Sequence, residues 1–225
     1  MLKGIFRERP SFPRYIVIYD ANTILEYICS LPRNVELPLE TLTKKLCVLL
    51  CLLSGKRAQV VPALDLRQCF SEADRVVFNI RQLMKTSTPA QHMDPLEFLA
   101  FPHEEKLCIV RCFEVYVLRT AEFRNTIVGE EPSPLILSYA HPHKPVKKAT
   151  IARYVKNFMG DAGIDITVFT PHSTRAASTS LGNNLGMSFK DIAKAAGWRK
   201  ESTFQKFYNK PICTNLGSRI LHGRH

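Results

Sequence analysis

Between Thr170 and Ser180 the chain reads TPHSTRAASTS. Thr170 offers an N-cap oxygen and Pro171 a first helical position that needs no amide hydrogen, so a helix is expected over 171–185. His172 and Arg175 then lie three residues apart in its first turn and share one face. Both are donors at the positive end of the helix dipole, where two cationic groups repel each other unless an anion lies between them. A histidine covering the helix start beside an arginine in a surface ion pair would account for the same spacing.

Three other stretches carry side chains able to do chemistry. SGKRAQ, residues 54 to 59, places Arg57 just beyond a glycine that follows an apolar run, where an arginine can also serve simply to cover helix-end carbonyls. Lys85 stands in the turn-prone LMKTSTP, with Arg81 as a competing choice; a lysine in a turn ordinarily only adds a solubilising charge. AGWRKESTFQKFY holds Trp198, the one tryptophan of the chain, and then Tyr208. Packing in the core, with Tyr208 beside Phe204 and Phe207, is the ordinary use of such aromatics.

Positioning these residues falls to a mainly helical α+β chain. DANTILEYICSL reads as a helix capped by Asp20 and stopped by Pro32, and LPLETLTKKLCVLLCLLSG as a longer apolar helix ended by Gly55. RVVFNI and LEFLAF, separated by KTSTPAQ, predict a small antiparallel sheet. Helical periodicity returns over 107–123, 149–162, 188–196 and 201–208, with LILSY as a short strand in the intervening loop. Ser188 and Asp191 form a capping-box pattern, and Gly186 and Gly197 stand where C-terminal caps belong.

The 225 residues, 45% hydrophobic and 23% charged, suffice for one large domain with a real core. No apolar run reaches the ~18 residues of a membrane span, and MLKGIFRERP lacks a secretory signal, so the chain is expected to be intracellular and soluble. Seven cysteines without a C-x-x-C pair argue against a zinc ribbon or a disulfide framework. The i,i+4 pairs Cys47/Cys51 and Cys108/Cys112 fall in apolar helical runs and are expected to be buried free thiols. The net charge of +11 is unevenly spread: residues 1–140 carry 17 Lys and Arg against 16 Asp and Glu, residues 141–225 carry 14 against 4. A basic excess of that kind suits a polyanion, above all nucleic acid.

Taken in order, Arg57, Lys85, His172-x-x-Arg175, Gly197-Trp198 and Tyr208 resemble the active-site series of tyrosine recombinases, the phage-integrase-type enzymes. The intervals from Arg175 to Trp198 and from Trp198 to Tyr208 are similar to the family's as well. The wording SGKRAQ, KTSTP, HSTRAASTS and AAGWRKESTFQKFYNKPI looks most like recombinases of eukaryotic DIRS or Crypton mobile elements. Two departures are Val60, where many members have an acidic residue, and Ala176, where many have a second histidine. The resemblance implies a tyrosine recombinase catalytic-domain fold over 16–212, a linker-like segment over 1–15 and a tail over 213–225, with the family's N-terminal core-binding domain absent.

It implies a function too: cleavage and rejoining of double-stranded DNA through a 3′-phosphotyrosyl intermediate, in the nucleus, by a homotetramer on DNA, with no metal and no cofactor. Arg57 and Arg175 would clamp the phosphate, Tyr208 attack it, and Lys85 protonate the departing 5′-oxygen. His172 would accept the tyrosine proton or donate to a phosphate oxygen, and Trp198 would add one hydrogen bond. Rival readings are a type IB topoisomerase, which ordinarily has lysine in place of His172, and a domesticated or impaired DNA-binding protein with the same fold. Either DNA reading predicts that duplex affinity falls steeply with salt, log K against log[salt] losing about 0.9 per phosphate neutralised. A flat profile in a titration from 50 to about 200 mM salt would instead indicate a protein-only scaffold.

Overall fold

Helix α1 (Ala21–Ser30) begins where the Asp20 carboxylate accepts the amide of Asn22 at 2.9 Å, and it turns Ala21, Ile24 and Ile28 inward. It ends at extended Leu31, ahead of Pro32. The structure, a computed structural model, describes residues 16–80, 94–124, 133–198, 202, 204–205 and 208–212.

Helix α2 (Leu39–Ser54) is apolar on nearly every side, and a helix of that kind has to be surrounded by protein. Leu42, Leu46, Cys47, Val48 and Leu49 are all fully buried. Around it pack α3 (Ile109–Arg119), α5 (Lys148–Asp161) and α6 (Ser173–Asn184), with the single turn α4 (Ala121–Arg124) following α3. Helix α7 (Phe189–Ala196) lies against α6. Ser188 caps α7 by accepting the Asp191 amide, and Gly197 closes it at φ 73°, as the capping pattern and the glycine predict. A 3-10 segment, Ala58–Ala63, links the end of α2 to the sheet region.

The sheet has three antiparallel strands in the order β1 (Cys69–Ser71), β2 (Arg75–Phe78), β3 (Leu96–Leu99), with Phe70 opposite Val77 and Val76 opposite Phe98. Val76, Phe78, Leu96 and Phe98 form its buried face, and Phe78 meets Phe113 of α3 edge-on at 5.7 Å. Strand β1 goes beyond the two that alternation predicts, because its three largely exposed residues carry no alternating pattern. LILSY forms no sheet strand: isolated bridges join Leu137 to Pro145 and Pro134 to Asp65, and the Tyr116 hydroxyl accepts the Leu137 amide at 2.9 Å. The helix expected over 107–123 breaks at Thr120, whose hydroxyl donates back to the Tyr116 carbonyl at 2.8 Å.

Thr170 and Pro171 do not open α6. The Thr170 carbonyl accepts both the amide and the hydroxyl of Ser173, at 2.8 and 2.6 Å, which closes a turn first and leaves His172 at the N-cap position. Six described cysteines are free thiols, and Cys47, Cys51, Cys108 and Cys112 are buried, as their apolar setting predicts. Burial pushes the Cys51 and Cys112 thiols up to about 12. No helix among the described residues is long and apolar enough to cross a membrane.

The junction after α2 gives a direct test. Gly55 has φ 59°, and a Cβ there would make only an ordinary contact with Thr179 Cγ2 at 3.4 Å, so the cost of a side chain is set by the backbone. Gly55→Ala is expected to lower stability by about 1–2 kcal/mol, read as an earlier urea-unfolding midpoint at unchanged slope.

Candidate active site

Arg57 owes its place to the way α2 stops. The chain turns at Gly55, the Lys56 amide donates to the Ser54 hydroxyl at 3.1 Å, and Arg57 is extended at φ −75°, ψ 146° before the 3-10 segment begins. From this bridge the half-buried guanidinium reaches 151 residues forward, its Nη2 donating to the Tyr208 hydroxyl at 3.4 Å.

Arg175 sits on the face of α6 that packs against the end of α2, where the Ser178 hydroxyl also donates to the Leu52 carbonyl. Only 5% of its surface is exposed. Its Nη2 donates to the Ala196 carbonyl at 2.9 Å, in the last turn of α7. The guanidinium carbon lies 4.5 Å from the centre of the Trp198 ring and 5.1 Å from that of Tyr208, both within cation–π range. Buried Nε has no hydrogen-bond partner among the described residues. Loss of hydration lowers the pKa of Arg175 to about 10, opposed by the Tyr208 phenol and reinforced by Arg57, which leaves it a cation at neutral pH.

Trp198 follows the Gly197 cap, so its half-buried ring is carried on the turn that ends α7. The rings of Trp198 and Tyr208 are 4.5 Å apart, and Phe204 lies 5.4 Å from Trp198 on another side. Tyr208 is 7% exposed and held from both sides. Its amide donates to the Phe204 carbonyl at 2.8 Å, and its carbonyl accepts the Ser180 hydroxyl of α6 at 2.6 Å. Just beyond, Ile212 pairs with Ile18, whose amide donates to the Pro211 carbonyl at 2.9 Å. The exposed His172 ring stands edge-on to Tyr208 at 6.4 Å.

Arg57, His172, Arg175, Trp198 and Tyr208 are thus brought to one place, while Lys85 and its rival Arg81 lie outside the described residues. Val60 and Ala176 are buried beside this place at 6% and 4% exposure. Ser180 and Lys56 are two local residues for which motif reading offers no role. Ser180 is one more hydroxyl in a run rich in them, and Lys56 stands in the shadow of the arginine beside it. Among the described residues no group of three or more His, Cys, Asp or Glu side chains is placed to hold a metal ion.

The sequence model of the phage integrase family matches residues 26–212. The chain belongs to the phage integrase family. Its fold is that of the tyrosine recombinases. XerH site-specific recombinase, solved bound to its difH substrate in a pre-cleavage complex, superposes with a TM-score of 0.60 at 12% identity, over 85% of this chain and 49% of that one. XerA recombinase gives 0.59 at 15% identity, over 96% and 67%. The Tn1549 transposon integrase, solved with circular intermediate DNA, gives 0.54 at 13%, over 100% and 69%. This family member spans about half the length of the XerH recombinase. Curated protein sequences contain no match to it.

The Tyr208 segment hangs on Ser180, which also accepts the Lys210 amide at 3.2 Å. Ser180→Ala leaves that amide and the Tyr208 carbonyl without this partner. It is expected to cost about 1–3 kcal/mol and to speed hydrogen exchange at Lys210, measured by mass spectrometry.

Proposed function

We propose that this phage integrase family member cleaves and rejoins DNA strands with Tyr208 as the nucleophile. The observation that carries the reading is the 3.4 Å approach of Arg57 Nη2 to the Tyr208 hydroxyl, with the buried Arg175 guanidinium 5.1 Å from the centre of the same ring. Two guanidinium groups at a phenol, with no carboxylate ion-paired to either among the described residues, form a setting prepared for an anion. A phosphodiester supplies that anion, and fixed cations stabilise the charge that builds on its non-bridging oxygens during attack.

The step balances without a cofactor. The Tyr208 oxygen gives up its proton and attacks phosphorus, the bond to the 5′-oxygen breaks, and a proton passes to that oxygen. The covalent 3′-phosphotyrosyl link conserves the bond energy, and attack by a 5′-hydroxyl reverses the step. Arg57 and Arg175 hold the non-bridging oxygens. His172 accepts the phenol proton or donates to a phosphate oxygen, and the Trp198 indole adds a donor. Lys85, with Arg81 as its competitor, protonates the 5′-oxygen, a role that rests on the family resemblance.

Double-stranded DNA as partner is supported by the basic C-terminal third and by the DNA complexes of XerH and the Tn1549 integrase. Site-specific recombination follows from the family. We extend this to a mobile element of DIRS or Crypton kind, a nuclear setting, a tetramer on DNA, and the division into 1–15, 16–212 and 213–225. These finer assignments rest on the resemblance of the motifs.

A duplex nicked just beyond the scissile phosphate traps the covalent adduct, because the released fragment diffuses away. The wild-type chain is expected to form an adduct that Tyr208→Phe abolishes and Arg175→Ala reduces at least a hundredfold, in line with loss of about 2.7–4 kcal/mol of transition-state stabilisation. Binding to duplex without any adduct would leave a DNA-binding protein with the recombinase fold. Relaxation of supercoiled plasmid without strand exchange would favour the topoisomerase reading.

A further inference from the structure

Lys56 is nine-tenths buried, at 9% exposure, directly before Arg57. Its Nζ lies 3.0 Å from where a Cβ on Gly197 would stand, so the ammonium abuts the turn that carries Trp198. The same turn supplies the Ala196 carbonyl that holds Arg175. Lys56, just past the end of α2, and Arg175 of α6 therefore converge on residues 196–198. Among the described residues a second deeply buried lysine, Lys45, shows what such a group normally requires: its Nζ donates to the Asn34 side chain at 2.7 Å. Lys56 Nζ has no such acceptor and no ion pair among the described residues. Burial lowers its pKa, the Arg175 charge pushes it the same way, and Asp94 opposes them weakly from an exposed position.

Three cations, Lys56, Arg57 and Arg175, thus gather around one place; Arg175 Nε is buried without a partner among the described residues, and Lys56, 9% exposed as a residue, brings its ammonium there with no ion pair among them. Burying like charges side by side destabilises the fold unless an anion joins them. We infer that Lys56 is a further phosphate-contacting residue, its ammonium donating to a non-bridging oxygen of the phosphodiester held between Arg57 and Arg175. This deepens the strand-transfer reading and rests on its placement of a phosphate there. A lysine that merely covers the carbonyl end of α7 would occupy the same position for a different reason.

Inorganic phosphate separates the two roles, with Trp198 fluorescence as the signal because it is the one tryptophan and lies on Arg175. The wild type is expected to bind phosphate saturably, and Lys56→Met to bind it at least about tenfold more weakly. Without phosphate, thermal unfolding of Lys56→Met is expected at the wild-type temperature or above it, since an uncompensated charge has been removed. Equal phosphate affinity in the two proteins, or no binding by the wild type, overturns the inference. If Lys56→Met does not fold, the side-chain ammonium resonance of Lys56 in 15N-lysine-labelled wild type decides. It shifts with phosphate if the contact is made, and a static resonance overturns the inference.

The nicked-duplex assay run in parallel keeps the two ideas apart. Lys56-dependent phosphate binding without a Tyr208 adduct sinks strand transfer and leaves the anion contact standing. An adduct formed equally by wild type and Lys56→Met, with unchanged phosphate affinity, does the reverse.

Discussion

A buried guanidinium without a carboxylate sets the terms for everything around Arg175. Its charge is held by one backbone carbonyl, from Ala196, and by the faces of Trp198 and Tyr208. Each of these partners is neutral, so they orient the group while leaving its charge uncompensated. Helix α7 must end where its last carbonyls can reach Arg175, which the Gly197 cap achieves. Tyr208 must then return across the same face of α6, where Ser180 fixes its backbone.

The core explains why the geometry can be this tight. Helix α2 is enclosed by α3, α5 and α6, and its end is tied to α6 by the Ser178 hydroxyl at the Leu52 carbonyl. Arg175 is carried on α6 and Arg57 on the short bridge that directly follows α2, so the separation of their guanidinium groups is governed by how these two helices pack. The pairing of Ile18 with Ile212 adds a second anchor, placing the start of the described chain against the segment that follows Tyr208. Two independent attachments thus position Tyr208, and for the nucleophile we propose it to be, such preorganisation is what transition-state stabilisation requires.

Much of this is legible in single motifs. The apolar run LCVLLCLL followed by Gly55 specifies a buried helix with a left-handed end, and S-x-x-D followed by Gly197 specifies α7. Period-two alternation finds β2 and β3. It cannot find β1, which has no buried face to pattern, nor the loss of strand character in LILSY, whose buried Leu135 to Leu137 find their partners in isolated bridges and in Tyr116. The start of α6 is misread for a local reason. A threonine before a proline looks like a cap, yet the Ser173 hydroxyl claims the Thr170 carbonyl and moves the helix start two residues on.

The sequence by itself determined which side chains were available for phosphate chemistry, and their order, because residue type and local spacing are properties of the chain. It also determined the asymmetry of charge toward the C-terminus, which is composition alone. Only the tertiary structure decided that Arg57 meets Tyr208, that Arg175 lies buried on Trp198, and that Lys56 is enclosed against Gly197. Those outcomes depend on how α2, α6 and α7 pack, and packing joins residues as far as 151 positions apart whose local patterns carry no record of one another. A lysine beside an arginine reads as surface charge in one dimension. Enclosed beside a second buried cation, the same ammonium carries a desolvation cost that an anion relieves.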